Sequence, residues 1–142
     1  MDAGFSLKIG FLTFLTCLSS TSWALCTRGH PTVDQEAARS SEVIIGKVLG
    51  SKDVMSEDAP DIVGKTVYRV NIVNTFKGEK LSEVEITSDN TSSRFNMEKG
   101  KQYLLFVQTF DGESLVDSCG NSGELGERAS TVKYLMHLNS PE

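Results

Sequence analysis

The spacing of apolar residues changes along the chain. Ile9 to Leu18 is a ten-residue, mostly apolar run, followed by the polar Ser19-Ser20-Thr21. Leu25 to Pro31 has no helical pattern and reads as extended. Thr32 is a good N-cap with Gln35 three positions on as its reciprocal partner, and Asp34 and Glu36 sit where the helix dipole favours negative charge. A short helix from Val33 to Arg39 is predicted. Glu42 to Leu49 is apolar and β-branched, the pattern of a buried strand, with Gly46 and Gly50 marking bulges or tight bends. Ser51 to Gly64, polar and acidic with Pro60, reads as a long loop. Lys65 to Phe76 alternates, with Thr66, Tyr68, Val70 and Ile72 on the predicted inner face.

Lys77-Gly78-Glu79 is a turn, Val84 to Thr87 a short strand and Ser88 to Ser93 a polar loop. Gln102 to Phe110 is the strongest strand signal, and Asp111-Gly112 is a hairpin turn into Ser114 to Ser118. Gly120 to Gly126 is a glycine-rich loop. Ala129, Val132, Leu135 and Met136 recur at helical spacing within Glu127 to Leu138, predicting an amphipathic closing helix. Five strands in so small a chain favour closure, which removes exposed edges. The expected class is all-β: a five-stranded Greek-key OB-fold barrel with a short N-terminal and a C-terminal helix. An open two-layer α+β sheet is the alternative.

Composition narrows the function. With 142 residues and a net charge of −5, the chain has neither the clustered positive charge of a nucleic-acid binder nor a polybasic membrane patch. The Ile9–Leu18 run is too short to span a bilayer, which takes about 20 residues. With Lys8 before it and Ser22-Trp23-Ala24 after it, residues 1–24 read as a signal peptide. A buried N-terminal helix and a bacterial lipoprotein anchored at Cys26 are the alternatives, and bulky Leu25 argues against the second. Residues 25–142 then form one domain, secreted or periplasmic, with no transmembrane segment.

Export changes how the cysteines read. Cys17 leaves with the signal peptide, and Cys26 and Cys119 in an oxidising compartment most simply form one disulfide. Two free thiols are the alternative. A zinc site is a poorer one, because only His30 and His137 could join the cysteines and no short ligand spacing is present. No Ser or Cys stands in a nucleophile motif, and there is no phosphate-cradling loop, metal motif or cofactor motif. A binding or inhibitory role is therefore expected rather than an enzyme. Asn90-Thr91-Ser92 is a glycosylation sequon, relevant in a eukaryotic host.

Several segments, in order, resemble one family. They are Cys26 with His30-Pro31, then Ser41-Glu42-Val43-Ile44-Ile45-Gly46-Lys47-Val48. Tyr68-Arg69-Val70 leading into Phe76-Lys77-Gly78 follows, then Gly100-Lys101-Gln102-Tyr103-Leu104-Leu105 and Asp117-Ser118-Cys119. From Cys26 to about Leu125 the chain resembles the N-terminal, netrin-like domain of the tissue inhibitors of metalloproteinases. The resemblance implies an OB barrel with flanking helices and a single domain without the family's second, cysteine-rich one. It aligns Cys26 and Cys119 with the family's second cysteine and its late partner. The family's first cysteine falls at Ala24 and its loop partner at about Ser93, so both halves of that bond are absent here. In the family, the first residue's amino group and carbonyl bind a protease's zinc. The resemblance thus implies protease contacts at Leu25, Cys26, Thr27, Ser92 and Ser93, with a secreted zinc metalloproteinase as partner. Processing after Leu25 is the alternative register, with Cys26 first and Thr27 in the specificity pocket. The other functional reading is a non-inhibitory binding module, whose 51–64 and 88–93 loops hold another extracytoplasmic protein or a glycan.

Overall fold

The computed structural model describes Cys26 and residues 29–139. The signal-peptide reading of residues 1–24 and the expected contact residues Leu25 and Thr27 lie outside them.

Helix α1 spans Val33–Arg39. Its capping box forms as expected: the Gln35 N–H donates to Thr32 Oγ1 (3.2 Å) and the Thr32 N–H to Gln35 Oε1 (3.1 Å). At its other end the free carbonyls are met from outside. Lys77 Nζ donates to Ala37 O and Ser40 O at 2.7 Å each, and to Ala38 O at 3.3 Å. A cation on those carbonyls satisfies the acceptors and complements the dipole. Lys77→Met is expected to cost about 1 kcal/mol and to speed hydrogen exchange in α1 before the strands; unchanged exchange there would refute the clasp.

The strands are β1 (Glu42–Met55), β2 (Val63–Lys77), β3 (Glu83–Asp89), β4 (Gln102–Phe110), β5 (Glu113–Val116) and β6 (Gly123–Glu124). A 3-10 turn, Leu125–Arg128, leads into α2, Ala129–Leu138. The sheet runs β1-β2-β3-β5-β4-β6, and β1 also pairs with β4, so five strands close a ring. Every pairing in the ring is antiparallel except β3 with β5, which meet in parallel at Thr87 and Leu115. The protein is thus dominated by β-structure with two short helices.

The long apolar runs of β1 and β4 are explained by burial on both faces. Ile44, Val48, Leu105 and Val107 point into the ring with Tyr68, Val70 and Ile86. Val43, Ile45, Leu104 and Phe106 point outward, under Leu135 and Val132 of α2 and Val33 and Ala37 of α1. The expected inner face of β2 is borne out: Thr66, Tyr68 and Val70 are buried and Ile72 packs on the ring core. Register shifts fall at Ile45/Gly46 and Val48/Gly50, where the two glycines predicted them. At Gly46 a Cβ would lie 2.2 Å from Val70 Cγ1, so the strand bends only because that atom is missing.

Three expectations are corrected. Half of the predicted 51–64 loop is strand: β1 continues to Met55 and β2 begins at Val63, leaving 56–62 as the connection. The sequence there is polar because this arm extends past β4, where side chains meet water. The glycine-rich 120–126 stretch holds β6, which pairs with Tyr103 and Leu104. In α2, Leu135 is buried and Val132 packs on the core, but Ala129 and Met136 are exposed, so the buried stripe is narrower than the periodicity suggested.

One carboxyl is placed at a cost. Glu42, at the start of β1, has Oε2 buried with no hydrogen-bond partner among the described residues. Burial, and then the neighbouring Glu79 charge, push its pKa above the ordinary carboxylate value. A raised folded pKa favours the native state at low pH, and that contribution is lost as pH rises from 4.5 through the folded value. Glu42→Gln should therefore stabilise at neutral pH, by about 0.5 kcal/mol after solvent screening, with the gain vanishing near about pH 3. Denaturation curves at both pH values test this, and a loss of stability at neutral pH would reject it.

Candidate functional site

The chain entering the ring is held by three consecutive residues of the loop after β5. Cys119 is bonded to Cys26, with Cα atoms 5.8 Å apart, so the single-disulfide reading is the one realised. Asn121 donates its side-chain amide to Pro31 O (3.0 Å) and to Glu36 Oε2 (2.7 Å), and its backbone N–H to the same Oε2. Gly120, between them, lies directly against Glu36, since a Cβ there would be 2.0 Å from Oε1.

Glu36 is only 1% exposed on α1. Its Oε1 has no hydrogen-bond partner among the described residues. A buried carboxyl group on the apolar side of a seven-residue helix is tolerated because Asn121 offers it two donors. The N-terminal strap runs from Cys26 to Pro31, and these two ends are thereby tied, the first covalently and the second by a hydrogen bond. Gly29 closes a turn within it, donating to Cys26 O (3.0 Å) from a φ of +73°, a region that glycine enters without strain.

A groove of about 670 Å³ opens beside the strap, lined by Gly29, His30, Pro31 and Arg39 and, from the sheet, Gln108 and Asp117. A second, of about 370 Å³, shares Gln108 and Asp117 and reaches Thr91, Ser93 and Phe110. The two form one concave face running from the strap to the β3–β4 loop. Asp117 is fixed at the junction, because its Oδ1 accepts the Cys119 N–H at 2.8 Å.

The β3–β4 loop is pinned from beneath. Arg94 Nη2 donates to Thr66 Oγ1 (2.9 Å), which donates in turn to Asp53 Oδ1 (2.7 Å). The Phe95 N–H donates to Ser88 Oγ (3.0 Å), and its ring meets Tyr103 edge-on at 6.2 Å. Ser92 and Ser93 are carried outward on this support, both exposed.

Of the sequence-predicted contact residues, then, Cys26 lies at the anchored end of the strap, and Ser93 lines the groove that joins the strap face. Ser92 is exposed in the same loop but lines neither groove. Asn90 of the sequon is exposed, and its side-chain amide donates to Val63 O at 2.7 Å. His30 and His137 are exposed, and both cysteines are committed to the disulfide. Among the described residues no group of three or more His, Cys, Asp or Glu converges. Also among them, no helix is long and apolar enough to cross a membrane.

The sequence reading missed Glu36, Asn121, Gln108, Asp117 and Phe110. A signal existed for Glu36 alone: it follows Val33 by three and precedes Ala37 by one, on the stripe that faces the sheet. The others are brought together only by the ring. The chain matches no family model, and no curated protein is significantly similar to it.

Proposed function

We propose that this is an exported, inhibitor-like protein of the netrin-like class, with its ring an OB-fold and its strap face directed at the active site of a secreted zinc metalloproteinase. The observation that carries the reading is the anchoring of the strap. Cys26 is bonded to Cys119, and Pro31 is held by Asn121 at 3.0 Å. The groove beside the strap continues to Ser93. Supporting the fold assignment are five strands that close with one parallel contact, β3 to β5, and two helices packed against the outer face of β1 and β4.

The chemistry follows from what a processed strap offers. With Leu25 first, a free α-amine and a carbonyl stand one residue before a covalent anchor. An amine and a carbonyl of one residue are a chelating pair that can replace the water on a protease's open zinc position. Anchoring at the next residue lowers the ordering cost of presenting that pair. Exposed Ser93, in the groove that continues from the one beside the strap, supplies a second, polar contact, with Ser92 exposed beside it.

Mass spectrometry of the secreted protein fixes the first residue, and titration against a panel of secreted zinc proteases measures inhibition. Inhibition at micromolar concentration is expected. One extra alanine ahead of the native first residue should weaken it about 100-fold or more, because the amine becomes an amide. No inhibition at micromolar concentration, or full inhibition by the extended chain, overturns the proposal.

A further inference from the structure

We propose that the second groove is a binding site for a neutral oligosaccharide. The strand register places Gln108 of β4 beside Leu115 of β5, and Leu115 beside Thr87 of β3. One row of side chains therefore crosses three strands. The period-two alternation of strands puts Phe110 and Asp89 on the same side as that row, and Asp117 follows directly after β5. All six line the groove, whose volume of about 370 Å³ is that of a small-ligand site.

The lining selects the ligand. Phe110 is 68% exposed at the tip of the β4–β5 hairpin, a flat apolar surface with nothing over it among the described residues. No Lys, Arg or His lines the groove, while Asp89 and Asp117 both do. Phosphates, nucleic acids and sulfated chains are repelled by such a site. What it offers is an aromatic platform, an aliphatic neighbour in Leu115, two carboxylates that accept hydrogen bonds, and an amide that both donates and accepts. Among the described residues the Gln108 amide and the Asp89 carboxylate engage no hydrogen bond, and Asp117 is already oriented through Oδ1 with Oδ2 left over.

A pyranose is the complementary shape: a C–H face for Phe110 and Leu115, and a rim of hydroxyls that donate to the carboxylates and pair with the amide. A lysine-rich peptide would satisfy the carboxylates but would leave the amide and the aromatic platform idle. The site shares Ser93 with the proposed protease contact but makes no use of the first residue of the chain, so substitutions at Phe110 and Gln108 test it separately.

The test uses the full processed protein, isotope-labelled, titrated with neutral hexasaccharides of glucose, mannose and N-acetylglucosamine to about 10 mM. At least one should shift the amides of residues 87–93 and 108–117, equally at about 50 and about 500 mM salt. Phe110→Ala and Gln108→Ala should each weaken binding about tenfold while leaving the remaining spectrum unchanged. No shift with any of the three, undiminished binding by Phe110→Ala, or shifts only with oligolysine that vanish at high salt, would each overturn the proposal.

Discussion

Replacing both Cys26 and Cys119 with serine is expected to lower stability by about 4–5 kcal/mol. The bond joins positions 93 residues apart, so it encloses most of the folded chain. In the chain-entropy account, its main effect is to restrict the unfolded ensemble, and the effect grows with the logarithm of loop length. A domain with a typical stability of about 5–15 kcal/mol would then sit near its limit at body temperature. Urea denaturation of the double variant and of the reduced native protein should give the same midpoint, both well below that of the oxidised protein. The ring pairs strands without help from Cys26, so both forms should remain folded in the cold with β4 amides protected. A midpoint unchanged by reduction, or reactive thiols in the native protein, would remove the disulfide from the account.

The second large effect is expected at Gly120. Alanine there places a methyl carbon 2.0 Å from Glu36 Oε1 and 2.7 Å from its Cδ. Glu36 is buried on a helix fixed at both ends, so it cannot move aside within its rotamer. Expelling it takes the acceptor from the Asn121 N–H and from one of its two side-chain N–H groups, each at a half-buried position and worth about 1–2 kcal/mol, while the other still reaches Pro31 O. Gly120→Ala should therefore cost about 3 kcal/mol. Glu36→Ala should cost a similar amount through the same orphaned donors. The two residues touch, so the double variant should cost clearly less than the sum of the singles. Strict additivity would show that the close approach seen here has no energetic weight.

How much of this could be read from the sequence depends on how local each feature is. The Thr32–Gln35 capping box, the alternation in β2, the Asp111-Gly112 turn and the β4 segment were all legible because each is decided by neighbours within a few residues. The Asp111-Gly112 pair illustrates it: both residues adopt positive φ, 49° and 81°, which that dipeptide takes more readily than most. The β1–β2 arm was not legible, because polar residues such as Lys52 and Asp53 are compatible with a strand only once water is known to be on both sides of it. The candidate site was legible at Cys26 and Ser93, through residue type and order. The contributions of Gln108 and Asp117 were not, because a half-buried amide and an exposed aspartate acquire meaning only where β5 brings two grooves together.

The length of β1 has a further consequence. Only its first half is paired on both sides; from Gly50 to Met55 its outer edge faces no strand among the described residues. Such an edge can recruit a strand from another molecule, and the charges of Lys52 and Asp53 along it oppose that recruitment. Exchanging Lys52 for threonine would leave the ring and the Asp53–Thr66 hydrogen bond intact but open a route to fibrous self-assembly, so shelf life in concentrated solution is guarded by a surface charge outside the strap face.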